Sequence, residues 1–204
     1  MMPMFDVQAF ILVGGASRRM GQDKAGLMFG ERTAVELIAH TLQSVTSSVI
    51  TVGATVQKSE DVSSIPDLRE SWGPLAGIEA ALKHATSSHA LVVGCDFPFV
   101  TGDLFKQLLS HATEADAVIP LQSDGRMQPL CSVFEVNTCL AATNAAIAAG
   151  GHSPRALLDR VQACYVPFSE LSELAGAGHF FLNLNTPENY QRALEIFARQ
   201  DQKA

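Results

Sequence analysis

The stretch QAFILVGGASRRMGQDK, residues 8–24, opens with six residues, five of them apolar, and breaks off at Gly14-Gly15. An apolar run that does not alternate with polar residues suits a strand covered on both faces, as in a parallel sheet. Two glycines directly after it let the backbone turn sharply and expose several N–H groups as an anion nest. Ser17 adds a hydroxyl donor, and Arg18, Arg19 and Lys24 place three cations in one short loop. Desolvated phosphate charge has to be matched locally, so the loop reads as a phosphate site built from amides and cations. It is not a Walker A loop, because Gly21 is followed by Gln22, nor a dinucleotide GxGxxG, because no third glycine stands in register. A lone Gly-Gly pair would suit a tight turn with solvent-facing basic residues; the length of this string and its cations favour phosphate.

Working outward, strand-length apolar runs recur at residues 48–52 (SVITV), 89–93 (HALVV), 117–120 and 180–184. Between them, residues 33–45 carry Val35, Ile38, Ala39 and Leu42 at helical spacing. Residues 75–85 follow a Gly-Pro start, residues 101–111 begin on a Thr cap, and a last helix opens at Thr186-Pro187-Glu188. Strands alternating with helices predict an α/β fold, a Rossmann-like, mostly parallel sheet with helices on both faces. Residues 122–136 contain a Ser-Asp-Gly turn followed by an apolar run from Met127 to Phe134, the pattern of a small antiparallel arm. Two short helices, at 139–149 and 154–161, and a glycine-containing loop at 176–178 complete the pattern. With no repeat and no long linker, residues 1–204 are expected to form one domain.

The 204 residues are 47% hydrophobic and 17% charged, enough apolar material for a sizeable core. A net charge of -7 without any Lys/Arg-rich run argues against a nucleic-acid partner. Four scattered cysteines with no CxxC pair, and six dispersed histidines, argue against zinc and for reduced thiols in a cytoplasmic protein. The apolar run at 9–13 is far too short for a signal peptide or membrane span, so no membrane association is expected.

Asp96 follows the buried run at 91–94, where an open α/β sheet presents its ligand-binding edge, and Pro98 fixes the turn after it. Magnesium commonly takes one or two protein carboxylates and fills its other positions with phosphate oxygens and water. Position alone equally allows an N-cap or turn aspartate ahead of the helix near Thr101. Asn183 and Asn185 flank Leu184 and would share one face of a strand. Two amides suit a polar heterocycle or its phosphate, while the alternative task of capping the next helix is already met by Thr186.

The loop LVGGASRRMGQDK, residues 12–24, resembles the signature of the molybdenum cofactor guanylyltransferases, part of a broader group of nucleotidyltransferases whose loop reads approximately LAGGxSxRMGxDK. Pro66-Asp67, Gly73-Pro-Leu-Ala-Gly-Ile78, Cys95-Asp96-Phe-Pro98 and Asn183-Leu-Asn-Thr-Pro187 match later segments in the same order, so the resemblance spans almost the whole chain. It implies a fold of the nucleotide-diphospho-sugar transferase type and transfer of GMP from GTP to the phosphate of molybdopterin, giving the guanine dinucleotide cofactor and pyrophosphate. It further implies Mg²⁺ on Asp96, and nucleotide contacts at Leu12, Val13, Gly14, Gly15, Lys24, Asp67 and Asp96. Arg19 and Lys24 would act in catalysis, and Gln128, Arg155, Asn183 and Asn185 would lie near the acceptor. Gly73 and Gly77 would let backbone approach the base or ribose. The implied partners are GTP, the molybdopterin acceptor, and a molybdoenzyme or cofactor-insertion protein that receives the product.

One departure stands out. Relatives often carry an Asn after the second strand, whereas residues 51–55 here read TVGAT. Base recognition then falls on backbone groups around residues 12–14 and 74–77. Two other readings stay open: a cytidylyl- or sugar-phosphate nucleotidyltransferase of the same fold, and a non-catalytic nucleotide-binding assembly factor. The Asp23-Lys24 pair and the Asn183/Asn185 segment speak against the first; retention of both Lys24 and Asp96 speaks against the second.

Overall fold

The structure is a computed structural model that describes residues 6–14, 24–53, 62–69 and 72–201. Gly15, Ser17, Arg18 and Arg19, all expected in the phosphate loop, lie outside the described residues.

The opening apolar run forms β1 (Val7–Val13), and its side chains divide by parity, as the two-residue repeat of a strand requires. Ala9, Ile11 and Val13 enter one core, Phe10 and Leu12 another. After a 3₁₀ turn at Lys24–Gly26 come two minimal strands, β2 (Met28–Phe29) and β3 (Arg32–Thr33), paired antiparallel. Thr33 then starts α1 (Ala34–Gln43) with a capping box: its hydroxyl accepts from Glu36 N (3.2 Å), and the Glu36 carboxylate accepts from Thr33 N (2.6 Å). β4 (Val49–Gly53), β5 (Ser63–Ile65), α2 (Pro74–His84), β6 (His89–Gly94) and α3 (Gly102–Ser110) follow. The chain continues as β7 (Ala117–Pro120), β8 (Cys131–Glu135), α4 (Val136–Ala148), α5 (Pro154–Leu158), β9 (Ala163–Val166), α6 (Phe168–Leu171) and α7 (Pro187–Asp201).

Among the described residues, seven strands make one sheet in the order β5-β4-β1-β6-β8-β7-β9. All run the same way except β8, which is antiparallel to both β6 and β7. On one face α1 and α3 pack Ile38, Leu42, Leu104 and Phe105 against Ile11 and Val93. On the other, α2, α4 and α5 pack Ile78, Leu82, Ile147 and Leu157 against Phe10 and Val92. A third core ties the β2–β3 hairpin to α7: Phe29 is fully buried and meets Phe99, Tyr190 and Phe197 edge-on at 6.1, 5.7 and 5.7 Å. Burial pushes the Cys131 thiol up, and that of Cys139 to about 12, which makes both packing groups at neutral pH. Among the described residues, no helix is long and apolar enough to cross a membrane.

Two segments differ from the sequence expectation. Met127 does bridge back to Leu121 across the Ser-Asp-Gly turn, but the following residues enter the main sheet as β8 instead of standing beside it as an arm. Cys131 through Phe134 are all buried, the environment of an interior strand. The separate antiparallel piece is the β2–β3 pair. Residues 180–184 are not a strand: their apolar side chains go to different cores, Phe180 to the α1–α3 side and Leu184 to the core under α7. Their backbone follows a 3₁₀ turn at Ala177–His179 and reaches Asp96 through Leu184 N donating to the Asp96 carbonyl (3.0 Å).

Candidate active site

The chain leaves β1 for β4 and β5 on one side and returns to β6 on the other, so the strand order reverses between β1 and β6. Open α/β sheets bind ligands in the crevice beyond the carboxyl ends of strands at such a switch. A cleft enclosing about 740 Å³ of empty space lies there. Leu12, Val13, Val52, Pro74 and Leu130 give it apolar walls; Lys24, Asp67 and Asp96 give it charge. Gly14, Gly73, Gly77 and Gly94 also line it.

Its floor is knitted by backbone bonds: Cys95 N donates to Leu12 O (3.1 Å), and Gly94 N to Leu130 O (2.9 Å). A Cβ at Gly94 would stand 2.6 Å from the Asp96 carboxylate, so the glycine leaves the acid its present position. Gly53 ends β4 beside Val13 of β1. Its φ is 106°, and a Cβ would lie 2.0 Å from the Val13 carbonyl oxygen, so no Asn can occupy that position without moving β1.

Lys24 donates a short hydrogen bond to Asn185 Oδ1 and stands 3.8 Å from an Asp96 carboxylate oxygen. Both Lys24 and Asp96 side chains are 20% exposed, open to a ligand but shielded enough for charge to count. Burial pushes the Asp96 carboxyl above its ordinary value, while the Lys24 ammonium and a backbone hydrogen bond pull the other way. Asp96 is not the cap of α3: Thr101 takes that role, accepting from Leu104 N (3.3 Å). Among the described residues, no three His, Cys, Asp or Glu side chains gather as a metal cage. A single carboxylate, one-fifth exposed on the cleft, does fit Mg²⁺, which takes few protein ligands when phosphate oxygens and water complete its shell.

The entrance of α2 is not built for an anion. Pro74 has no N–H, Leu75 N donates to His152 O (3.4 Å) and Ala76 N to Gly73 O (3.1 Å), so the first-turn donors are missing or engaged. What it offers instead is an exposed Gly73, and a buried Gly77 against which the Leu12 side chain packs, both lining the cleft. Asp67 is exposed on the same cleft, its Oδ1 accepting from Arg69 N (3.1 Å).

The structure thus brings Leu12, Val13, Gly14, Lys24, Asp67 and Asp96 into one cleft. Asn185 joins it through Lys24, whereas Asn183 Oδ1 accepts from Asn189 Nδ2 of α7 (3.5 Å), so the two amides do not share a face. Gln128 and Arg155 line a separate, more open hollow of about 870 Å³ together with Arg126 and Tyr165. Sequence reading missed Val52, Gly94 and Leu130 as cleft lining, and Arg126 and Tyr165 in the hollow.

A switch-point cleft in a mostly parallel sheet, lined by Gly14, a lysine and a carboxylate, defines a nucleotide-binding α/β protein. Residues 9–164 match the MobA-like NTP transferase domain, and the chain belongs to that family of nucleotidyltransferases. It is 32% identical over 192 residues to a probable molybdenum cofactor guanylyltransferase of Pelotomaculum thermopropionicum, covering 93% of each chain. It is 31% identical over 194 residues to the molybdenum cofactor guanylyltransferase of Rhizobium leguminosarum bv. trifolii, covering 92% of this chain and 91% of that one. Its fold is similar to that of molybdopterin-guanine dinucleotide biosynthesis protein A from Archaeoglobus fulgidus, with a TM-score of 0.77, 27% identity, and coverage of 94% of this chain and 99% of the other.

Proposed function

We propose that this chain transfers GMP from GTP to the phosphate of molybdopterin, releasing pyrophosphate and forming the guanine dinucleotide cofactor. The observation that carries the reading is the charged end of the cleft, where Lys24, Asp96 and Asn185 meet beside Gly14. Near-full-length similarity to proteins named for guanylyl transfer supports it. An acceptor phosphate oxygen attacks the α-phosphorus of GTP as the bond to the bridging oxygen breaks, and pyrophosphate leaves with that oxygen. The acceptor is already anionic at neutral pH, so the protein supplies no base. Its work is positioning and charge neutralisation.

Asp96 would hold Mg²⁺ against the phosphates, and the ion when bound supplies charge neutralisation and orientation there. Lys24, with Arg19, meets charge developing at the α-phosphate and leaving group; Asn185 keeps the Lys24 ammonium directed into the cleft. Leu12, Val13, Gly14 and Gly15 cradle the nucleotide, and Asp67 with the Gly73–Gly77 surface takes the base and ribose. Gln128 and Arg155, in the adjoining hollow with Arg126, receive the acceptor. That division makes residues 1–115 mainly the nucleotide half and 116–204 mainly the acceptor half, both parts of one cytoplasmic enzyme that passes its product to a molybdoenzyme or insertion protein.

Ligand linkage tests the choice of nucleotide. At matched concentrations with Mg²⁺, GTP is expected to raise the melting temperature more than CTP or ATP. A larger shift with CTP would move the assignment to cytidylyl transfer.

A further inference from the structure

Glu79 lies in the apolar face of α2 and is only 4% exposed, between core neighbours such as Ile78 and Leu82. A buried carboxylate is costly unless well paired, and an apolar side chain of similar size is often at least as stabilising. Here the pairing is tight: Arg69 Nε stands 2.7 Å from one Glu79 oxygen and Nη2 3.2 Å from the other, a two-pronged grip. The guanidinium also sits 5.9 Å from the centre of the Trp72 ring. The backbone N–H of the same Arg69 donates to Asp67 Oδ1 (3.1 Å), and Asp67 lines the cleft. One residue therefore fastens the cleft carboxylate to the interior of a helix.

The other end of this segment is fastened too. Trp72 Nε1 donates to Gly151 O (3.2 Å), and its ring lies tilted by 39° against that of His152, with centroids 4.4 Å apart. His152 Nδ1 in turn donates to the Trp72 carbonyl (3.2 Å). Gly73, next in the chain and itself on the cleft, holds a φ of 98°, and a Cβ there would stand 3.0 Å from the His152 carbonyl oxygen.

We propose that Arg69 and Glu79 are a positioning pair that sets Asp67 for nucleotide recognition, acting on nucleotide affinity and not on turnover. The proposal rests on the nucleotide-binding reading of the cleft. Neither side chain reaches the Lys24–Asp96 end, so their effect should be equal in ground state and transition state, which changes affinity and KM but leaves kcat.

The test uses the full chain carrying Glu79→Gln, which keeps shape and loses charge, and Arg69→Lys, which keeps charge and loses the fork. GTP affinity is measured by calorimetry with Mg²⁺, alongside kcat at saturating GTP and the melting temperature. Trp72, the sole tryptophan, gives an independent fluorescence readout of binding. Both variants are expected to weaken GTP binding about tenfold, equivalent to about 1.4 kcal/mol, with kcat within about twofold of the parent. Lower melting temperature with unchanged GTP affinity would assign the pair to stability alone and overturn the proposal. Arg69 is 43% exposed, so Arg69→Lys leaves a folded protein to measure even if Glu79→Gln does not. A parent chain that binds no GTP overturns the underlying reading; a parent that binds while both variants bind equally well overturns only the positioning role.

Discussion

Asp96 illustrates how a largely buried carboxylate on a cleft opposes the stability of its own fold. Its carboxyl is raised above the ordinary value of 3.8, first by burial, against the opposing pull of Lys24. A raised carboxyl binds its proton more tightly in the folded than in the unfolded chain, so stability is lost as pH rises through the folded-state value. Asp96→Asn removes that loss. The variant is expected to melt higher than the parent at neutral pH, with the advantage vanishing below the ordinary aspartate value, while turnover at ordinary Mg²⁺ is abolished. Melting curves across pH, run beside an activity assay, check both parts; a variant less stable than the parent at neutral pH would mean that attraction to Lys24 outweighs burial. At this scale the sequence was most informative where chemistry is local: the glycine turn, Lys24 and Asp96 are all named by their neighbours in the chain. Glu79 was not legible, because a glutamate in an amphipathic helix looks like a solvated one until its burial and its distant arginine are seen.

Among the elements, β1, β4, β6 and the helices between them were readable because each signal, an unbroken apolar run or a capped periodic one, lies within a single segment. The failures at residues 127–134 and 180–184 have one cause. An apolar run records that side chains are buried, not which core receives them, and only tertiary packing sends Phe180 and Leu184 apart and inserts β8 between β6 and β7. Helix starts are local, and Thr33 gives a clean test. Thr33→Ala removes the hydroxyl half of the capping box on α1 and is expected to cost about 1 kcal/mol, or roughly 2–4 °C of melting temperature for a chain of this size. GTP affinity should not change, since α1 does not line the cleft. Altered affinity without a change in melting temperature would contradict that separation of roles.

For the whole molecule, the fold sets a cleft at the β1–β6 switch point beside a more open hollow holding Gln128 and Arg155. The turn from Gln128 to Leu130, just ahead of β8, borders both, with Gln128 on the hollow and Leu130 on the cleft. A transferase needs that arrangement, because acceptor and nucleotide must meet at one phosphorus, whereas a nucleotide carrier needs only the cleft. The most direct measurement is therefore pyrophosphate release by the purified chain with Mg²⁺, each nucleoside triphosphate in turn, and molybdopterin present or absent. Release is expected only with GTP and molybdopterin together, one pyrophosphate for each guanine dinucleotide formed. Release with CTP in place of GTP, or GTP binding with no pyrophosphate even when molybdopterin is supplied, would contradict guanylyl transfer.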